Sequence, residues 1–169
     1  ITVAAGVAAA ADLNAIDAAT TGLVNATAVT TVEGSIAAVT DALNDQAAMS
    51  TAAAVLVTLD DVASTATALN ALDALTSGAI DANTVLTVTG SVVDLTTAFQ
   101  SGGITFVPQA DATVTGTSTI TQLNALDATG VDVITFGTAF ATTTTDVIDL
   151  TDVGFDAGAH TIKYTAGNQ

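Results

Sequence analysis

The side chains best suited to chemistry in this chain are carboxylates. Asp146, Asp149, Asp152 and Asp156 form a run, and Asp60-Asp61 is a local pair. Ca²⁺ takes about six to eight oxygen ligands, usually several carboxylates with backbone carbonyls, so both groups are candidate Ca²⁺ ligands. The competing reading is that Asp solubilises turns and caps helices. Catalysis has less to work with. His160 is the only imidazole. The chain has no Gly-x-Ser-x-Gly elbow, no His-Glu-x-x-His and no phosphate-cradling glycine loop. Paired aspartates can hydrolyse glycosides, but they need a cleft with sugar-binding aromatics, and this chain has no Trp and one Tyr. An enzyme is therefore not expected, nor a cofactor other than Ca²⁺.

Charge narrows the partners. Lys163 is the sole cation against 17 acidic residues, for a formal charge of −16. Phosphate contacts need Lys and Arg, so nucleic acid is excluded, and anionic membrane surfaces with it. No apolar run approaches the ~18 residues of a membrane span, so no membrane insertion is expected. The absence of Cys removes disulfides, Cys-ligated zinc and thiol catalysis. The chain opens at Ile1 inside a pattern, without the basic region of a signal peptide, and reads as a piece of a longer protein.

That pattern is a repeat. Leu13-Asn14-Ala15-Ile16-Asp17 returns as Leu69-Asn70-Ala71-Leu72-Asp73 and as Leu123-Asn124-Ala125-Leu126-Asp127, at steps of 56 (13 to 69) and 54 (69 to 123). Gly22 and Gly34 recur at the longer of these steps as Gly78 and Gly90. Strand-like openings at Thr2-Val3, Thr31-Val32, Thr58-Leu59, Thr87-Val88 and Thr113-Val114 divide the long unit into halves of about 28 residues. Apolar residues at helical spacing follow: Ile36, Val39 and Leu43; Val92, Leu95 and Phe99; Ile120, Leu123 and Leu126. Ser35 and Ser91 stand at N-cap positions. Short extended runs come next, at Leu23–Ala26, Ala79–Ala82 and Ile104–Val107, preceded by Gly22, Gly78 and Gly103. Glycine there suits a helix C-terminus or a turn of positive φ.

Half the residues are hydrophobic but only 4% are aromatic, a composition for thin stacked layers rather than a thick core. The expected fold is a repeat solenoid: parallel β-strands with one short α-helix per coil of about 28 residues, and about five coils over residues 1–130. Val of the Thr-Val-Thr strands faces inward and Thr outward. Asn14, Asn70 and Asn124 form an internal polar ladder or cap helix ends; Asp17, Asp73 and Asp127 repeat beside them. Residues 131–169 hold Thr142 to Thr145, Phe136, Phe140, Phe155, Tyr164, His160 and Lys163. They are expected to form a more strand-rich divergent coil or cap.

The Thr-Val-Thr-Gly strands (Thr87 to Gly90; Thr113 to Gly116), the Leu-Asn-Ala-Leu-Asp string and Thr76 to Ala82 resemble tandem repeats of giant RTX-like adhesins and cell-surface proteins of bacteria, marine cyanobacteria especially. The resemblance covers residues 1–130. It implies an extracellular or cell-surface location, a spacing or coating role and export by a C-terminal signal. The Gly-Gly-x-Gly-x-Asp calcium motif does not occur, since Gly102-Gly103 is followed by Ile104. The expected function is a stiff spacer, extender or coat whose partners are neighbouring repeats of the same chain, with self-association or a surface ligand also open. The alternative is a ligand- or ice-binding solenoid, acting through rows of outward Thr and stabilised by Ca²⁺. On the modular reading, a chain lacking residues 57–110 still folds.

Overall fold

The structure, a computed structural model, describes residues 1–106, 110–136 and 161–163. In chain order these form β1 (Gly6–Ala9), α1 (Ala10–Ala18), β2 (Val24–Ala26), β3 (Val29–Gly34), α2 (Ile36–Asn44), β4 (Met49–Thr51), β5 (Leu56–Leu59), β6 (Ala63–Thr65), α3 (Ala66–Asp73), β7 (Ile80–Ala82), β8 (Thr87–Gly90), α4 (Val92–Gln100), β9 (Ile104–Phe106), β10 (Asp111–Val114), α5 (Ile120–Asp127), β11 (Val133–Phe136) and β12 (Thr161–Lys163). The architecture is α/β. Among the described residues, all strand pairs are parallel and fall into three sheets, with five helices. Parallel neighbours need a crossover of about a dozen residues or more, and the short helices supply it.

The helices begin where the sequence places caps. Ser35 Oγ accepts from Ala38 N and Ser91 Oγ from Asp94 N. Thr65 and Thr119 cap α3 and α5 in the same way, and Thr119 forms a capping box with Gln122. The apolar stripes point inward: Val39 and Leu43, Val92 and Leu95, and Leu123 and Leu126 are buried. Ile36 and Phe99 lie half-covered at the margin of the core. Strand alternation holds too. Val32, Val57, Ile80 and Ile104 occupy successive rungs and are buried, while Thr87 and Thr89 flank the buried Val88 from the half-buried outer face. The core is a continuous file of Ala, Val, Leu and Ile; its aromatic contribution includes Phe99 against Phe106, ring centroids 4.7 Å apart.

Three features depart from the sequence reading. First, helices and ladders do not keep one step. The helices start at 10, 36, 66, 92 and 120, close to the expected average coil length. Ladder partners follow at shorter intervals, as in Val7–Thr31, Thr31–Leu56 and Thr89–Thr113. Second, Thr2-Val3 provides an isolated parallel bridge to Asn25, and the first full strand is β1. Third, Gly22, Gly78 and Gly103 do not have positive φ; Gly6, Gly34, Gly116 and Gly130 do. Gly78 is needed for closeness instead. A Cβ there would run into the Val55 carbonyl oxygen and lie 2.7 Å from that of Ala54.

The sheets change hands along the chain. The order in the first five-stranded sheet is β1-β3-β5-β7-β9, and in the second β6-β8-β10-β11-β12; β2 pairs with β4 in the third. The strand preceding α1 and α2 belongs to the first sheet, but the strand preceding α3 and α4 belongs to the second. Equivalent strands of the long repeat therefore sit in successive sheets: β1 corresponds to β6, β2 to β7 and β3 to β8. Packed helices lie about 8–10 Å apart, whereas parallel strands step by about 4.8 Å. A row of helices cannot stay in step with one ladder. The strand preceding the helix changes sheet between α2 and α3, and α5 again follows a strand of the second sheet, β10.

Candidate functional site

The repeated Asn and Asp residues lie on the helix row. Asn14 is the fifth residue of α1, and its Nδ2 donates to Ala38 O, the third residue of α2, at 3.0 Å. Asn70 of α3 repeats this on Asp94 O of α4, also at 3.0 Å. Neither caps a helix end. They do not stack on one another either, because α2 lies between α1 and α3. Each Asn is a cross-tie from an odd helix to the following even one. Helices α2 and α4 carry Thr40 and Thr96 at the matching place, and Thr96 Oγ1 donates to Val92 O within its own helix at 2.8 Å. A Thr hydroxyl is too short to reach the next helix. Asn124 occupies the same position in α5, with its Oδ1 buried and without a hydrogen-bond partner. The cross-tie is thus made by α1 and α3, and the Asn at its position recurs in every second helix.

Replacing the donor makes this testable. In an Asn70→Asp variant an ionised carboxylate, which only accepts, faces the Asp94 carbonyl. The expected loss is about 2 kcal/mol near neutral pH. Protonation restores a donor, so the gap from the parent narrows as pH falls through the carboxylate range. Paired thermal melts at neutral and acidic pH check this; a gap independent of pH sinks the cross-tie as an energetic contact.

The aspartates serve neighbouring turns. A carboxylate at a helix C-terminus opposes the helix dipole, so its recurrence there calls for a compensating contact. Asp73, the last residue of α3, accepts from Ser101 Oγ at 2.9 Å, and Ser101 Oγ in turn accepts from Gly103 N at 3.1 Å. Gly103 lies tight against Asp73 Oδ1. The same Ser/Thr-x-Gly turn follows two other helices: Gly22 N donates to Thr20 Oγ1 at 3.2 Å and Gly78 N to Thr76 Oγ1 at 2.9 Å. Asp127 closes α5 at the corresponding place. Asp17 is half-buried at the end of α1, where it lines an open polar groove with Asn14, Asp41, Asn44, Asp45 and Met49.

Of the metal candidates, Asp61 has a structural task. Its Oδ2 accepts from Ile36 N at 2.6 Å, so it caps the N-terminus of α2 from the segment between β5 and β6. Asp60 is exposed beside it. No three His, Cys, Asp or Glu side chains converge on a metal position among the described residues. Asp146, Asp149, Asp152 and Asp156 lie outside the described residues, as do His160, Thr142 to Thr145, Phe140, Phe155 and Tyr164. The capping by Asp61 and the turn bonded by Asp73 were not foreseeable from sequence, because each partner is distant in the chain. No helix among the described residues is long and apolar enough to cross a membrane.

Comparison with protein-family models, with curated proteins and with solved structures returned no match.

Proposed function

We propose that the chain is a repeat solenoid, with short helices on its parallel-stranded coils, working as a stiff spacer, extender or coat segment of a large bacterial cell-surface or secreted protein. The observation that carries this reading is the succession of parallel partners along the chain, each about one coil beyond the last, from Val7–Thr31 through Val32–Val57 to Val133–Thr161. Such a chain lengthens by about 4.8 Å per added strand in a ladder and buries its apolar stripes only between layers. Asn14, Asn70, Asp61 and Asp73 each bond a segment distant in the chain. They are employed in mechanics rather than in turnover. The acidic surface suits a salty extracellular setting, where screening weakens its self-repulsion. Small-angle X-ray scattering tests the reading: an elongated profile is expected, and a globular one would refute the solenoid.

A second reading rests on one file of hydroxyls. Thr65, Thr89, Thr113 and Thr135 occupy consecutive rungs of the β6-β8-β10-β11 ladder. Glu33, whose charge would break such a file, lies on β3 in the other five-stranded sheet. An evenly spaced Thr file can order water or hold a repetitive ligand. The adjacent file, Ala63, Thr87 and Asp111, is mixed, which favours the mechanical reading. Thermal hysteresis at micromolar protein would establish the alternative.

A further inference from the structure

We infer that the end of the molecule bearing Ile1–Val3, Thr20–Gly22 and the outer side of α1 is a docking face for another copy of the same two-helix repeat unit, which adds a parallel strand to the Thr2 edge. Three independent comparisons between equivalent positions carry this.

The first is hydrogen bonding. Ile1 N donates to Leu23 O at 3.0 Å, as Val57 N does to Ala79 O at 3.0 Å one long repeat further on. Asn25 N donates to Ile1 O at 2.7 Å and Val3 N to Asn25 O at 2.8 Å. The N–H and C=O of Thr2 therefore point away from β2, and no described residue takes them. At the equivalent strand β5, that outer edge is occupied by β3, with Val32 opposite Val57 and Glu33 opposite Thr58. The added strand would set its Val32 counterpart against Ile1 and its Glu33 counterpart against Thr2.

The second is the glycine turn. Thr76-Ser77-Gly78 is seated on the preceding layer. Thr76 Oγ1 donates to Val55 O at 2.7 Å, Ser77 N donates to Ala53 O at 2.8 Å, and only glycine fits at position 78. Thr20-Thr21-Gly22 folds into the same local turn, yet a Cβ on Gly22 would meet only Thr20 Oγ1, at 3.9 Å. Its φ does not demand glycine either. The residue is shaped for a neighbour like Ala53–Val55.

The third is burial. Val57 is 1% exposed while its equivalent Ile1 is 64% exposed; the fully buried Leu72 corresponds to the half-buried Ile16. What covers the face in the second unit is the trailing layer of the first: β3, α2 and Ala53–Val55. The occupant of the free face is accordingly another such trailing layer. An unpaired parallel edge flanked by apolar side chains is also the kind of surface that recruits a strand.

The test is a fusion in which a second copy of residues 1–56 is placed directly before Ile1 of the full chain, so that Leu56 precedes Ile1 where it normally precedes Val57. Hydrogen exchange at the original Thr2 amide is compared with that in the 169-residue chain. Protection should rise by about 100-fold, with a single melting transition. Gly22→Val in the original copy should leave the Tm of the 169-residue chain within about 1 °C and abolish the new protection in the fusion. Free-peptide exchange at Thr2, separate melting of the added copy, or protection that survives Gly22→Val would each overturn the inference, as would a large fall in Tm of the unfused Gly22→Val chain. The inference builds on the repeat reading, but the two fail separately: a globular scattering profile of the native chain removes the spacer and leaves the Thr2 result standing.

Discussion

Gly78→Val is expected to lower stability by about 3–4 kcal/mol, which for a chain of this size is a fall in Tm of roughly 10 °C. The added side chain would meet backbone, not a flexible side-chain end. Its Cβ runs into the Val55 carbonyl oxygen. Moving that carbonyl disturbs the Thr76 and Ser77 hydrogen bonds to the same layer and the register that brings Val57 opposite Ile80. Gly103→Ala should cost less, since its nearest neighbour is the carboxylate of Asp73, which can rotate at the expense of the Ser101 bond. Differential scanning calorimetry of the two variants gives the order. Equal small losses would mean that the turn after α3 is not held against its neighbour.

That contrast also separates what residue types announce from what they conceal. Local features were legible: Ser35 and Ser91 as caps, the stripes through Val39 and Leu95, and short strands such as Ile80–Ala82. These depend on close neighbours in the chain. The glycines were recognised as special, but the positive φ that was one of the two reasons offered is absent at Gly22, Gly78 and Gly103. Nothing in a lone Gly distinguishes a turn that needs positive φ from a backbone that must approach another backbone, and Gly78 is the second kind. The Asn positions were legible as a repeat and not as cross-ties. The match of Asn14 to Asn70 reports equivalent environments, whereas contact occurs one helix away, from Asn14 to Ala38. Only the ladder registers reveal that equivalent strands, β3 and β8 among them, lie in different sheets.

The registers also define where a removable unit ends. Val57 faces Val32 and Ala112 faces Val88, so Ala112 is the counterpart of Val57, and Thr113 of Thr58. The bonds just beyond agree: Asp60 N donates to Gly34 O at 3.2 Å, and Thr115 N to Gly90 O at 2.8 Å. Deleting residues 57–111 therefore joins Leu56 to Ala112 with inward and outward faces preserved. Helix α5 then takes the place of α3 on α2, bringing Leu123-Asn124-Ala125-Leu126-Asp127 where Leu69 to Asp73 had been. Asp132 N, which bonds Ala110 O at 3.3 Å, inherits the carbonyl of Val55. One loss is identifiable: Gly116 replaces Asp61, leaving Ile36 N without its carboxylate, at about 1 kcal/mol. The shortened chain should melt in one transition somewhat below the parent. Deleting 57–110 instead leaves Asp111 immediately after Leu56, in the inward place of Val57. A one-residue slip turns every side chain to the opposite face, and a carboxylate buried without a partner costs about 3–5 kcal/mol. The two deletions differ by a single residue, yet the second should be far less stable. Equal melting temperatures, or an unfolded 57–111 deletion, would show that ladder register does not set the modular boundary.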